Sequence, residues 1–417
     1  MPVEGTLSYD AIVIGGGAAG CFLAIELSRL CPDISVGVLD AGDTTLKKVA
    51  VTGGGRCNLT NSFKGIQSLR DAYPRGDKLM RRCLSRFSHE DTWKWFTSHG
   101  VPLVLQEDQC VFPLSQDAMQ IVRTLQNLMR RNGVRVHSGC RMAEITPFEG
   151  GFSLSSSAGE KFACRALAVA PGGATPSILG MLGGLPLTIE KPVPSLFTFK
   201  CPDPSLKALM GTVAERSEVS MAGTKFSSSG PLLVTDWGLS GPAVLKLSSY
   251  AARYLSENEY RCTVLVSWTG NSSREEASFS LRDLLSASPK KQLRTAHPEG
   301  VSSRLWQYII SKAGLREDIL CGEVGGKGLN RLVEILCSDP IQVDGRAKFK
   351  EEFVTCGGVS LKDIDPSTMQ CRNLPGLFFA GEVLDIDAIT GGFNLQAAWS
   401  TGYVAAQGMA GYLGSQS

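Results

Sequence analysis

Residues Tyr9 to Asp40 read YDAIVIGGGAAGCFLAIELSRLCPDISVGVLD, and their order decides the fold. Ala11 to Ile14 is a short, β-branched apolar run, the pattern of a strand buried on both faces. Gly15, Gly17 and Gly20 follow as G-x-G-x-x-G, at the point where a strand must turn into a helix. Gly15 permits the tight turn, Gly17 lets the backbone approach a pyrophosphate, and Gly20 lets the helix pack closely on the sheet. The helix predicted over roughly residues 19–30 aims its unpaired N-terminal N–H groups and positive dipole end at that phosphate. Ala18 and Ala19 supply the backbone of this turn. A second apolar strand, residues 35–39, ends at Asp40, where a carboxylate can accept from ribose hydroxyls. A glycine pattern alone is weak evidence, but strand, glycines, helix, strand and acid in one register are strong. The stretch predicts a doubly wound, Rossmann-like α/β domain that binds a dinucleotide.

At 417 residues the chain is too long for one ordinary core, so two or three domains are expected. Hydrophobic residues at 43% and charged residues at 20% describe a globular enzyme rather than a disordered or fibrous chain. A net charge of +2 gives no bulk attraction to nucleic acid or to an anionic membrane. The 13 cysteines are scattered, with no C-x-x-C pair and no zinc-like spacing. Reduced thiols and no metal site are therefore expected. Met1 to Ser8 lacks the basic and apolar regions of a secretory signal, and no apolar run approaches the roughly 20 residues that span a bilayer. A cytoplasmic location is expected.

After Asp40, the stretch KKVAVTGGGRCNLTNS (residues 47–62) carries a second glycine cluster followed by Arg56, Cys57 and Asn58. Consecutive glycines suit a backbone passing close to a ligand, and an arginine there could face phosphate or an electron-rich ring. Two short helices are predicted over residues 77–87 and 89–99, the second with Trp93, Trp95 and Phe96 as core. Met119, Val122, Leu125 and Met129 recur at helical spacing within a helix over 115–132. Strands are expected over 134–137, 141–147, 151–156 and 161–170. From about Glu190 the alternation of helix and strand disappears. Strands over 196–201, 211–220, 225–226, 232–235 and 261–268 suggest a β-rich insertion, with a helix over 239–255. Residues 275–336 then read mainly helical. The expected division is a split nucleotide-binding domain, 1–190 and 341–417, around a β-rich part, 191–274, and a helical part, 275–340. At the C-terminus, GLFFAGEVLDIDAITGGFN (residues 376–394) combines a buried strand, Gly381-Glu382, a loop and Gly391-Gly392 before a helix. This order again aims a helix N-terminus at a ligand. A flavin gathers negative charge at its N1–C2=O edge on reduction, which such N–H groups suit, and Glu382 would face ribityl hydroxyls.

At these residues the sequence resembles the BaiN-like (aminoacetone-oxidase-type) FAD flavoproteins. The resemblance rests on IGGGAAG (14–20), KKVAVTGGGRCNLTN (47–61), TDWGLSGPAVLKLS (235–248), VTCGGVSL (354–361) and GLFFAGEVLDIDAITGGFNLQAAWSTGY (376–403), in family order. It implies non-covalently bound FAD, a split FAD domain holding the insertion, and an oxidoreductase whose substrate differs between members. Some members reduce double bonds of unsaturated bile-acid ketones, and some reduce uridine in ribosomal RNA. The FAD site so implied comprises Gly15, Gly17, Ala18, Ala19, Gly20, Asp40, Lys48, Gly54, Gly55, Arg56, Cys57 and Asn58, with adenine at the backbone around Met142. Ala170, Gly381, Glu382, Asp385, Gly391, Gly392, Phe393 and Asn394 complete it. After Ala170 the chain runs PGGATPSILGMLGG, shorter than the family's usual stretch, which leaves the substrate open.

The leading expectation is hydride transfer through flavin N5 to or from a small organic substrate such as an unsaturated ketone. No second G-x-G-x-x-G follows a strand, so NAD(P)H would act as a transient donor. Reduction of uridine in RNA is the alternative, with Lys290, Lys291, Arg294, Arg304, Lys312, Arg316, Lys327 and Arg331 as phosphate contacts. A solvated helix face explains these residues better. A non-catalytic flavin-binding redox protein is the third reading. The four histidines lie in no motif. Arg56 and Cys57 are the catalytic candidates, placed between the flavin and the inserted domain, although a free cysteine usually packs as a small hydrophobe. Oligomeric state is open.

Overall fold

A computed structural model of the chain describes residues 5–270, 273–347 and 354–415. Residues 1–4, part of the Met1–Ser8 reading, lie outside these, as do 271–272, 348–353 and 416–417. The chain divides into two compact units, Met1–Pro192 with Val354–Ser417, and Val193–Phe353.

The first unit is built on a 7-stranded sheet. Its elements are β1 (Leu7–Ile14), α1 (Ala18–Leu30), β2 (Val36–Leu39), α2 (Ala118–Arg131), β3 (Arg135–His137), β4 (Met142–Phe148), β5 (Gly151–Ser156), β6 (Lys161–Val169), β7 (Leu377–Phe379) and α3 (Phe393–Gly414). Pairing is parallel through β3, β2, β1, β6 and β7, whereas β4, β5 and the first half of β6 form an antiparallel meander. Ala11, Ile12 and Val13 are fully buried, as a strand flanked on both sides and covered on both faces must be. In register, Ile14 lies opposite both Leu39 and Val169, and Val169 opposite Phe379. The parallel strands therefore end together.

Helix α3 packs along α1. A side chain on Gly402 would stand 2.9 Å from the Ala19 carbonyl oxygen, and the Phe22 and Trp399 rings lie 5.5 Å apart with both residues buried. Burying a side chain of that size is worth about 1.5–3 kcal/mol. Trp95 joins this core and donates through Nε1 to buried Glu26 at 2.8 Å. Trp93, grouped with it by sequence, is half-buried and lines a separate cavity. In α2 the buried face runs through Ala118, Ile121, Val122, Leu125 and Met129. Met119, expected on that face, is 37% exposed, because a helix turns about 100° per residue and the buried stripe runs through its neighbour Ala118.

The second unit has a 6-stranded antiparallel sheet in the order Phe199–Lys200, Gly238–Ser240, Ser227–Val234, Val213–Met221, Arg261–Ser267, Asp339–Asp344. Helices Arg274–Ala287, Ser303–Lys312 and Gly326–Ser338 share one core with it, including Val219, Trp268, Trp306, Leu332 and Ile341. Three expectations are corrected. Lys225 and Phe226 sit in the hairpin turn before Ser227, not in a strand. The helix expected over 239–255 starts only at Pro242, because Gly238–Ser240 is a strand and Gly241 turns at φ 88. The return at 341 is also too early, since Asp339–Asp344 pairs with Arg261–Ser267 in the second sheet. The first unit resumes at Val354, whose strand to Val359 pairs with Ile189–Ser195.

The turn between β1 and α1 gives a stability test. A Cβ on Gly20 would collide with the Gly15 carbonyl oxygen, whereas one on Gly17 would meet nothing within 4 Å. Gly17 has φ −85, a value open to any residue. Gly20→Ala should lower the unfolding free energy by about 1–3 kcal/mol, the usual cost of overpacking, and Gly17→Ala by less than about 0.5. Urea unfolding followed by circular dichroism measures both.

Candidate functional site

The carboxyl ends of the parallel strands build the first part of the site. Gly15 N–H donates to the Leu39 carbonyl at 2.8 Å, Ala170 N–H to Ile14 at 2.8 Å, and Asp40 N–H to His137 at 2.9 Å. These bonds set Gly15, Asp40 and Ala170 side by side. Asp40 Oδ2 accepts from Gly16 N–H at 2.5 Å and Oδ1 from Gly42 N–H at 2.6 Å, so its carboxylate is fixed in direction. Each oxygen keeps a lone pair for a further donor. Met142 is buried at the start of β4, two residues after Cys140, whose N–H donates to the Asp40 carbonyl at 2.8 Å.

Helix α1 starts at Ala18 with no side-chain cap, leaving its first N–H groups without helical partners. The glycines around it divide the work. Side chains on Gly15 or Gly20 would strike protein backbone, while Gly17, half-buried, faces open space. Gly381 closes this end: at φ 75 it packs against the Ala19 methyl, and its N–H donates to Thr401 Oγ1 at 2.9 Å.

The glycine cluster after Asp40 is less loop-like than its sequence suggests. Lys47–Val51 are helical, and the helix breaks at Thr52, after which Gly53, Gly54 and Gly55 take φ 58, 68 and 82. Lys48 Nζ lies 3.7 Å from Glu382 Oε2, and Glu382 Oε1 accepts from Thr355 N–H at 2.8 Å. Gly54 and Gly55 face open space. The Arg56 guanidinium is exposed and stands over the Phe112 ring at 4.5 Å. Cys57 points the other way, fully buried, with its thiol pushed up to about 12 by burial. A thiol so placed stays protonated near neutral pH and is a wall rather than a nucleophile. The Asn58 side-chain oxygen is buried without a hydrogen-bond partner and lies where a Cβ on Gly392 would stand 2.6 Å away.

Gly391 and Gly392, at φ 125 and 89, lead into α3, which also starts without a side-chain cap. Phe393 is buried, and its carbonyl accepts from the Tyr73 hydroxyl at 2.9 Å. The Asn394 amide donates to and accepts from the Ala388 backbone at 3.0 Å both ways, closing the loop before the helix. Asp385 N–H donates to the Val359 carbonyl at 3.0 Å. From Phe393 to Thr401 the helix advances roughly 12 Å. It therefore joins a glycine-lined place at its own N-terminus to the one beside α1.

Sequence reading missed several supports. Buried Asp387 forms an ion pair with Arg75, anchoring the 385–392 loop. Asp387 stands in the quoted DID stretch, but nothing near Arg75 marked its partner. Gln396 is buried in the first turns of α3, where its oxygen accepts from Thr60 Oγ1 at 2.5 Å and Thr92 Oγ1 at 2.9 Å. Asn61 Nδ2 donates to the Gly391 carbonyl at 2.9 Å. Among the described residues, no helix is long and apolar enough to cross a membrane.

Comparison with known proteins agrees with this architecture. The chain is 26% identical over 410 residues to a 3-dehydro-bile acid delta(4,6)-reductase of Clostridium scindens, covering 95% of this chain and 98% of that protein. It is 28% identical over 423 residues to the ribosomal RNA dihydrouridine synthase of Escherichia coli (strain K12), covering 96% and 97%. Among solved structures, the open conformation of a flavocytochrome c3 fumarate reductase matches with TM-score 0.53 at 12% identity, covering 98% of this chain and 79% of that one. The 3-ketosteroid delta1-dehydrogenase of Sterolibacterium denitrificans matches with TM-score 0.51 at 12% identity, covering 97% and 100%. At such identities these two likenesses speak for the fold alone. The profile described as HI0933-like protein Rossmann domain matches residues 9–408, and the chain belongs to that family.

Proposed function

We propose that the chain is an FAD-dependent oxidoreductase that reduces a carbon–carbon double bond next to a carbonyl in a small ring compound. The observation that carries this reading is the pair of uncapped helix N-termini, at Ala18 and Phe393, joined through α3, whose Thr401, bonded to Gly381 beside α1, stands roughly 12 Å along the helix from Phe393. FAD fits the residues present. Gly17 leaves open space at one N-terminus, and the orphaned Asn58 oxygen with open Gly54 and Gly55 stands at the other. When bound, FAD supplies the hydride chemistry.

The chain's residues bind and orient. Asp40 accepts from ribose hydroxyls, the N–H groups around Gly17, Ala18 and Ala19 hold pyrophosphate, and the backbone around Met142 meets adenine. Glu382, with Lys48 beside it, faces the ribityl chain, and Ala170 and Gly381 wall the middle of the site. Asp385 and Asn394 hold the loop in place, and the N–H groups following Gly391, Gly392 and Phe393 stabilise negative charge on the ring edge. Arg56, always charged, receives the substrate carbonyl oxygen. NAD(P)H is the donor and binds transiently.

Both kinds of curated relative are named for saturating a ring double bond: the delta(4,6) system of a 3-dehydro-bile acid in one, uridine in ribosomal RNA in the other. The RNA reading has the E. coli relative in its favour. Against it, three of the basic residues that would meet phosphate are already engaged. Arg304 donates to the Ala208 carbonyl at 2.6 Å, Arg316 pairs with Asp318 at 2.6 Å, and Lys312 pairs with buried Asp339. Reoxidation of the NAD(P)H-reduced protein by an unsaturated cyclic ketone, compared with unmodified ribosomal RNA, decides between the two. Faster reoxidation by RNA overturns the small-molecule reading.

Gly17→Val should fold like the parent, because a Cβ there has no protein atom within 4 Å, yet purify colourless. A folded Gly17→Val protein with its full yellow absorption contradicts the pyrophosphate assignment.

Arg56→Ala should keep its flavin but lose turnover by roughly a hundredfold, the lower end of the range for removing one charge-stabilising donor. Cys57→Ala should be milder. With its thiol pushed up to about 12, Cys57 carries a proton throughout the working range, so the pH–rate profile of Cys57→Ala should overlay the parent's from about pH 6 to about pH 10. Stopped-flow flavin reduction and steady-state rates give both results.

A further inference from the structure

We propose that a cavity of about 270 Å³ between the helix His89–Ser98 and the small sheet of Thr60–Asn61, Leu103–Leu105 and Cys110–Pro113 is a second ligand site, for a flat, largely apolar two-ring compound carrying one hydroxyl or carbonyl. Trp93 and Lys94 lie one turn beyond His89 and face the same way, while the strands contribute Leu105 and Val111. A single exposed leucine needs no explanation. Here Leu105, 46% exposed, shares a concavity with the half-buried Trp93 ring. A cavity of about 150 Å³ accepts one benzene ring, so this volume suits two fused rings. The polar groups of the opposite wall are already used: Asn61 binds Gly391 and the Phe63 N–H, and Ser62 donates to Gln109. The exposed Glu90 and Lys94 border the cavity, and the half-buried His89, whose burial lowers its pKa, is the handle within it that can donate or accept one hydrogen bond.

The floor of this cavity is also the support of α3. Thr60 Oγ1 donates to Gln396 and Asn61 Nδ2 to the Gly391 carbonyl. The Phe63 ring lies 5.1 Å from His89 and 5.0 Å from Phe393. A compound in the cavity therefore touches the residues that hold the N-terminus of α3. Its effect on a flavin there rests on the function proposed above, whereas its binding does not.

The test uses the full chain and 2-naphthol as probe, with affinity measured by equilibrium dialysis. The parent should bind one molecule per chain. Trp93→Ala should weaken binding about tenfold, equivalent to ~1.4 kcal/mol, and Leu105→Glu by at least as much. Leu105 is exposed, so the second variant should fold even if the first does not. In flavin-loaded protein, saturation with 2-naphthol should also shift the flavin absorption. Absence of saturable binding, or equal affinity in a folded Leu105→Glu variant, overturns the site and places any bound probe elsewhere. Saturable binding that leaves the flavin absorption unmoved overturns the coupling. Should the protein carry no flavin, the function above fails while dialysis still decides the site.

Discussion

Everything in the first unit depends on how little room there is at Gly15. Its N–H is tied to the end of β2, the Ala170 backbone occupies the place of its missing side chain, and Gly20 presses on its carbonyl oxygen. Three strand ends and one helix start are thereby fixed within one turn. The tightness is selective, because Gly17, two residues on, faces nothing. A dense turn with one open face builds the fold, and in the proposed reading that open face is the place for a phosphate, so the same glycines would serve stability and binding.

The same constraint explains what the sequence could disclose. Local rules govern residues 9–40: a double-sided buried strand, a glycine turn and a capless helix each leave a mark in consecutive residues. Asp40 was legible for that reason. Its tethers at Gly16 and Gly42 were not, because a carboxylate accepting backbone N–H groups needs no particular neighbouring residue type. The Arg75–Asp387 pair was hidden by distance, since its partners stand 312 residues apart and neither spacing nor composition connects them. Cys57 shows a subtler limit. Its neighbours Arg56 and Asn58 suggested a working site, but the left-handed turn at φ 62 sends its side chain into the core instead.

In the inserted unit, sequence texture identified strands and helices but mistook their grouping. Residues 341–344 alternate exposed and buried positions, a pattern equally at home in either sheet. Only pairing decides between them, and the antiparallel ladder to Arg261–Ser267 assigns the strand to the insertion. Asp339, at its head, is fully buried and receives hydrogen bonds from Trp268 at 3.1 Å and Tyr308 at 2.9 Å, with Lys312 as its counterion. A charge so enclosed is costly to break, and it locks that strand to the helices of its own unit.

The division of the first unit between the two ends of the chain also sets an order of events during synthesis. Strand β7 and helix α3 leave the ribosome after the inserted unit, yet β7 completes the parallel sheet and α3 covers α1. Until they arrive, α1 exposes the apolar face that Trp399 will cover, and the last strand position beside β6 stays empty. The unit containing Val193–Phe353 is contiguous and can close its own core earlier. The first unit must instead wait for a contact spanning more than 300 residues, a loop closure that delays folding far more than it weakens the finished structure. A nascent chain halted before residue 377 would thus hold a finished insertion beside a sticky, incomplete sheet, the kind of species that chaperones shelter.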